Sequence, residues 1–414
     1  MRYLLTFLIL ALSACGAAPA SAPAPASAPA SAPASASAPA PAPALASAPA
    51  SAPDPTAAVR ATANQWRAEH RIIDMHMHID PTLEHMGAAV RIMDAAGIGV
   101  GIELSGGTVT HKKGEVSDFE QTKRFADDHF PGRFVEYMNF DYSDWDKPDF
   151  AKRAEAQVVE GARLGAAGLK EFKRLGLFQR DQAGRLLKID DARLDLAWAA
   201  LGRLGMPVSI HVADPKAFWG PYDSTNERWT ELKDHPRWWF GDPAKYPPRE
   251  ELLAALERVV TRHPETTFVC VHLGNNAEDL AWVDAQLEKH ANMMVDIAAR
   301  VPEFGRHDPE QVRAFFIKNQ DRILFATDFQ VYDRMTLGSG GNGPPPTEAD
   351  ALAFFAGHWR FFETADKDFA HMTPIQGDWT ISAIHLPVEV LEKVYFGNAQ
   401  KLLAKALAKL PRPQ

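Results

Sequence analysis

The sequence predicts an α/β fold in which eight parallel strands alternate with helices and close into a barrel. Three observations predict it. Short apolar runs recur through residues 58–414, separated by stretches of helical amphipathic spacing, the pattern of βα units around a parallel sheet. There are eight such runs, the closing number of the (β/α)8 or TIM barrel. Several of them end on a lone His or Asp, and that barrel gathers its functional side chains at the C-terminal ends of its strands.

In chain order, Met1-Arg2-Tyr3 precedes the apolar run Leu4–Leu12 and the small residues Ser13-Ala14-Cys15. A positive start, a short apolar core and small residues predict a secretory signal over 1–14. The run is about half the roughly 20 residues that a membrane-spanning helix needs. Leu12-Ser13-Ala14-Cys15 resembles the bacterial lipobox, which implies that Cys15 is acylated and becomes the mature N-terminus. The chain is then expected to be anchored to lipid in the cell envelope, its domain facing the periplasm from the outer membrane of a Gram-negative bacterium. Residues 15–57 are read as the lipidated Cys and a disordered tether, because 16–57 are almost wholly Ala, Pro and Ser and can form neither a helix nor a core. At roughly 3.1 Å per residue the tether spans on the order of 130 Å.

From residue 58 to 414 the texture is that of the barrel. The expected strands are 71–79, 98–105, 134–140, 167–173, 207–212, 267–272, 293–298 and 323–328. Helices are expected at 117–129, 150–164, 191–204, 249–262, 277–289 and 309–318. The connection 213–248 after strand 5 is too long for simple punctuation and carries Trp219, Trp229, Trp238 and Trp239, so it is expected to fold over the barrel mouth as a lid loop.

Hydrophobic residues at 46% and charged ones at 23% suit a packed core that needs no disulfide staple. The net charge of −9 falls wholly on residues 58–414, because Arg2 and Asp54 cancel before them. No basic footprint exists for nucleic acid, which excludes that partner class. Of the two cysteines, Cys15 belongs to the signal pattern, and Cys270 lies in the apolar run Thr267–His272 as a small buried hydrophobe.

The strongest chemical signal is Ile72-Ile-Asp-Met-His76-Met-His78-Ile79. Alternate residues of a strand share a face, so His76 and His78 project together and can chelate one divalent ion. His211 ends Pro207-Val-Ser-Ile-His211, His272 ends Phe268-Val-Cys-Val-His272, and Asp328 ends Ile323-Leu-Phe-Ala-Thr-Asp328. Any one could be a hydrogen-bonded strand tip; five polar residues that all fall at C-terminal strand ends predict a metal site. Asp74, on the face of the two first-strand histidines, is read as a supporting group or floor packing.

These residues, in this order, resemble those of the amidohydrolase superfamily, in its amidohydrolase-related (amidohydrolase 2) branch, over nearly all of residues 71–405. The segment Tyr395-Phe-Gly-Asn-Ala-Gln-Lys-Leu-Leu403 also looks like the family's ending. The resemblance implies that His76, His78, His211, His272 and Asp328 are metal ligands. It further implies a divalent ion, zinc first and one ion rather than two, with Asp328 and His272 carrying the proton chemistry. Lys170, in Gly168-Leu-Lys170-Glu-Phe-Lys173, stands where two-metal relatives carry a carboxylated lysine. A strand-end lysine paired with Glu171 or with a substrate carboxylate is the alternative, and Lys173 competes for either role. Arg300 is a candidate clamp for a substrate carboxylate. Asn226–Trp229 is a candidate piece of the lid, and His111 is a weaker pocket candidate.

Three functions remain open at this point. The first is metal-dependent hydrolysis of a small amide, ester or lactone by activated water. The second is non-oxidative decarboxylation of a small carboxylate on the same ligands. The third is a ligand-binding envelope lipoprotein that has lost catalysis.

Overall fold

Strands covered on both faces cannot alternate polar with apolar residues, and they read as continuous apolar runs. In the computed structural model, which describes residues 54–111 and 114–411, β1 (Ile72–Ile79) is buried at every position. It is followed by β2 (Ile98–Glu103), β3 (Phe134–Asn139), β4 (Gly168–Glu171), β5 (Val208–Ile210), β6 (Phe268–Cys270), β7 (Met293–Asp296) and β8 (Ile323–Leu324). Each pairs in parallel with the next.

The chain then runs on into β9 (Phe329–Val331), parallel to β1, and β10 (Met335–Leu337), which folds back antiparallel on β9. The result is a curled, mostly parallel sheet in the order β10-β9-β1-β2-β3-β4-β5-β6-β7-β8, consistent with a TIM-barrel-like fold. Residues 323–331 meet both flanks of the curl. Ile323 and Leu324 pair with β7, while Met75 N donates to Phe325 O at 3.0 Å and Asp328 N donates to His76 O at 2.9 Å.

All eight expected runs contain strands, but every one except β1 stops short of its expected C-terminal end. At those ends side chains replace the ladder partners. Glu103 accepts from Ile79 N at 2.6 Å and from Ser105 N at 2.5 Å, and Asp296 Oδ1 accepts from His272 N at 2.8 Å and Ala298 N at 3.2 Å. His211, His272 and Asp328 therefore sit beyond their strands rather than on their last residues. His272 and Asp328 take left-handed backbone conformations, φ 56° and 62°, which are uncommon for residues with a Cβ.

The six expected helices form, with their own caps. Ser117 accepts from Glu120 N at the start of Asp118–His129, and the helix Phe150–Leu164 ends on a left-handed Gly165. Three long helices had no sequence expectation: Ala57–Ala68, Leu83–Ala96 and Glu348–Glu363. Thr82 caps Leu83–Ala96, and Gly97 ends it at φ 82°, where an added Cβ would stand 2.4 Å from Arg67 Cβ.

The connection 213–248 packs largely on itself, with ring pairs Tyr222–Trp229 at 5.2 Å and Trp219–Phe240 at 4.9 Å. It is also fixed to the body: Asp234 accepts from Asn342 N at 2.8 Å, and His235 Nε2 lies 2.6 Å from Gly340 O. The expected signal peptide, Cys15 and the tether as far as residue 53 lie outside the described residues. Among the described residues no helix is long and apolar enough to cross a membrane.

Candidate metal centre

β1 sends Asp74, His76 and His78 to one face, and their depth differs. Asp74 is fully buried. Its carboxylate accepts from His76 N at 3.0 Å, Thr327 N at 3.1 Å and Thr327 Oγ1 at 2.5 Å. It thus ties the first strand to the segment bearing Asp328, the supporting position expected of it. Burial pushes its pKa up to about 7.

Three histidines have one ring nitrogen already taken. His76 Nδ1 is 2.9 Å from Asp296 Oδ2, His78 Nδ1 is 2.6 Å from Ser105 Oγ, and His272 Nδ1 is 2.8 Å from Ala298 O. A carbonyl only accepts, so His272 carries its proton on Nδ1 and its Nε2 has a free lone pair. A carboxylate beside His76 fixes the same tautomer there. Burial, the largest cause in each case, holds the pKa values of His76, His78 and His272 well below the usual range. The rings are neutral near pH 7, the form that binds a metal.

The opposite ring nitrogens converge. His76 Nε2 and His78 Nε2 lie 3.8 and 3.6 Å from Asp328 Oδ1, and the ligand atoms of these three residues all fall within 4.8 Å of one another. The rings of His76 and His272 are 5.0 Å apart. A second set within the same limit is His76, His272 and Asp296. Asp296, however, already accepts from two backbone N–H groups and faces His76 Nδ1, so it is better fitted to brace the histidines than to hold an ion. Burial raises its pKa to about 6.

His211 belongs to neither set. Its ring lies 4.3 Å from that of His272, and its Nε2 is 3.2 Å from Asp214 Oδ1, which leaves Nδ1 as the atom it can offer a metal. Burial lowers its pKa to about 4. Burial alone would raise Asp214, but Lys173 at 2.5 Å and the His211 hydrogen bond hold its carboxyl well below the usual carboxylate range.

Lys170 is fully buried with Nζ 3.2 Å from His76 Nε2. Among the described residues no carboxylate lies within ion-pair distance of it, and burial draws its pKa down to about 8. The alternative pairing with Glu171 does not occur, because successive strand residues face opposite sides; Glu171 instead accepts from Tyr142 Oη at 2.5 Å. Lys173 is engaged by Asp214 and stands 4.9 Å from the Trp238 ring. Of the two lysines, only Lys170 enters the cluster.

Arg300 is buried near the same place, 3.9 Å from Asp214 and 3.6 Å from Glu303, with Nη1 donating to Ala299 O. Glu303 also pairs with the buried Arg228, which reaches Glu231 at 2.9 Å. Arg228 and the Asn226 amide, which donates to Ala217 O and Pro221 O, make Asn226–Trp229 a structural knot. His111 is exposed and faces Glu160 at 3.7 Å, away from the cluster.

Sequence reasoning missed Asp296, Ser105 and Asp214 as partners of the histidines. Asp296 carried the same signal as the others, an acid closing an apolar run (Met293-Met-Val-Asp296). Ser105 and Asp214 carried no such signal: Ser105 reaches His78 across a tertiary contact, and Asp214 stands in a loop three residues past His211 without closing a strand.

A curled α/β sheet with clustered neutral histidines and an aspartate beyond its strand ends is consistent with a TIM-barrel-like fold whose strand ends could hold a metal ion. The family model described as Amidohydrolase matches residues 73–405, and the chain belongs to that family. No curated protein matches it. Among solved structures it is similar to 2,6-dihydroxybenzoate decarboxylase from Rhizobium, at 16% identity over 81% of this chain and 98% of that one, TM-score 0.44. It is also similar to a dihydroxybenzoic acid decarboxylase from Polaromonas with bound manganese, at 16% identity over 80% and 96%, TM-score 0.44. A dihydroorotase from Campylobacter jejuni is similar at 13% identity over 81% and 83%, TM-score 0.43.

Proposed function

We propose that this chain is a metal-dependent hydrolase of a small amide, ester or lactone, working in a (β/α)8 barrel closed through residues 323–331. The observation that supports this most is the convergence of His76 Nε2, His78 Nε2 and Asp328 Oδ1, with the opposite ring nitrogens hydrogen-bonded elsewhere. Such a donor set of two neutral imidazoles and a carboxylate, completed by His211 Nδ1, fits one divalent ion, zinc first. An ion held there would supply a lowered water pKa and polarisation of a substrate carbonyl.

The protein's own residues do the rest. Asp328, freed from the strand by its left-handed turn, is placed to take a proton from attacking water. His272, its Nδ1–H held by Ala298 O, would offer its Nε2 lone pair to the proton that Asp328 takes up and pass it on to the leaving group. Lys170 lies close enough to supply a second ion with a carboxylated bridge, and the neutral amine fraction that carboxylation needs is favoured by its burial. Lys170, with Arg300 nearby, would draw in a substrate carboxylate, and those cations favour decarboxylation as the second reading. The connection 213–248 would cover the site.

Metal analysis of the purified chain, followed by product analysis on ester, lactone, amide and aryl carboxylate panels, tests this. Bound divalent ion and activity lost on chelation and restored by zinc or manganese are expected. Folded protein that takes up no metal would overturn the reading; CO2 without hydrolysis would shift it to the decarboxylase.

A further inference from the structure

A cavity apart from the candidate metal centre lies between residues 175–189, the connection 213–248 and the helix Arg249–Arg262. Its volume is about 650 Å³, and none of the candidate metal ligands lines it. That volume falls within the roughly 300–1,000 Å³ of small-molecule sites. Its walls are carbon: Leu175, Ile189, Trp219, Phe240, Tyr246 and Leu252. Trp219 and Tyr246 flank Phe240 at ring distances of 4.9 and 5.0 Å, and the Trp219 indole N–H is already spent on Pro247 O at 2.9 Å. Trp219 and Phe240 therefore offer surface and no hydrogen bond, and the Tyr246 hydroxyl is the polar group that this aromatic wall carries.

The rim is cationic. Arg180, Lys188, Lys245 and Arg258 line the cavity against a single acid, Glu251. Three of these cations have carboxylate partners: Lys188 with Glu251 at 3.1 Å, Lys245 with Asp242 at 2.8 Å and Arg258 with Asp190 at 2.7 Å. Arg180 differs. Its guanidinium is fixed by two neutral carbonyls, Gly184 O at 2.8 Å and Lys245 O at 3.3 Å, and no carboxylate lies within ion-pair distance among the described residues. Its position is set while its charge is uncompensated.

We propose that this cavity is a second binding site, for an amphiphile with one carboxylate head. The apolar body lies along Trp219, Phe240 and Tyr246, and the head meets Arg180. An unbranched alkyl carboxylate has the required chemistry: burial of its methylenes drives entry, and a guanidinium pairs with the carboxylate through two N–H donors. A neutral or cationic amphiphile would leave Arg180 unanswered.

Calorimetric titration of decanoate into the full chain carrying Cys15→Ser, which keeps acyl chains out of the assay, tests this. One decanoate per chain is expected. Arg180→Gln should weaken decanoate binding tenfold or more while leaving 1-decanol unchanged. Ala244→Trp, at an exposed position on the lining, should abolish binding of both. Both variants replace exposed residues, and unchanged melting curves will show that they fold. The proposal is overturned if decanoate does not bind, if Ala244→Trp leaves it bound, or if decyltrimethylammonium binds as well as decanoate.

Discussion

At the scale of single residues, the centre depends on which ring nitrogen carries the proton, and that is set by groups that need not touch a metal. Asp296 is the clearest case, since it faces His76 Nδ1 and also takes the amides of His272 and Ala298. Asp296→Asn keeps the shape but can turn a donor toward His76 and favour the wrong tautomer. Partners of this kind are worth about 10–100-fold in metal affinity, and a loss in that range is expected by zinc titration with a competing chelator. A fold change without an affinity change would contradict it.

His358 isolates the cost of burying a histidine away from the centre. Its ring packs on Phe354 and Phe325, Nδ1 is 2.9 Å from Phe354 O, and burial lowers its pKa to about 4. The unfolded chain takes up this proton near pH 6.5 and the folded chain only near pH 4, so the native state loses stability as pH falls between those values. His358→Phe removes that term. Relative to the variant, the parent should lose on the order of 3 kcal/mol between pH 7 and pH 4, measured by urea unfolding at each pH. A constant difference across that range would show that His358 is not the cause.

At the scale of elements, the sheet is positioned by how its helices end. Leu83–Ala96 must stop and turn directly into β2, and Gly97 does this at φ 82° with Arg67 where a side chain would go. Gly97→Ala combines a left-handed alanine, costing about 1 kcal/mol, with a contact that forces Arg67 aside. Arg67 in turn pairs with the buried Glu363, which also accepts from Tyr395 Oη at 2.9 Å. A loss of at least 2 kcal/mol in chemical denaturation is expected, and a neutral substitution would show that the turn is not held so tightly.

At the scale of the whole chain, a metal-binding barrel and a membrane address are separate proposals resting on separate segments. Acylation at Cys15 would tether the domain to lipid, and Cys15→Ser should move the protein from the membrane pellet to the soluble fraction. Persistence in the pellet would remove the anchor and leave the metal centre untouched.

How far the sequence carried differs by feature. The runs behind β1 to β8 were legible because strands buried on both faces must be apolar throughout. The ligand candidates stood out because a polar residue closing such a run has no place in a core. Long helices such as Glu348–Glu363 went unread; their burial against several neighbours, as at Phe354, Phe355, Phe361 and Phe362, widens the apolar face and blurs the helical period. Ser105 was invisible because its partner His78, 27 residues away, is chosen by proximity and not by spacing along the chain, and Asp214 because it stands in a loop and closes no apolar run. The sequence by itself determined the alternating α/β order, the family and the candidates from His76 to Asp328. Only the tertiary structure decided that His272 and Asp328 leave their strands in left-handed turns, that Lys170 rather than Lys173 enters the cluster, and that Arg180 faces a cavity with no acid to answer it. Those outcomes depend on the curl of the sheet and its packing, which bring together side chains more than 250 residues apart, as Asp74 and Thr327 are, and no local pattern encodes that distance.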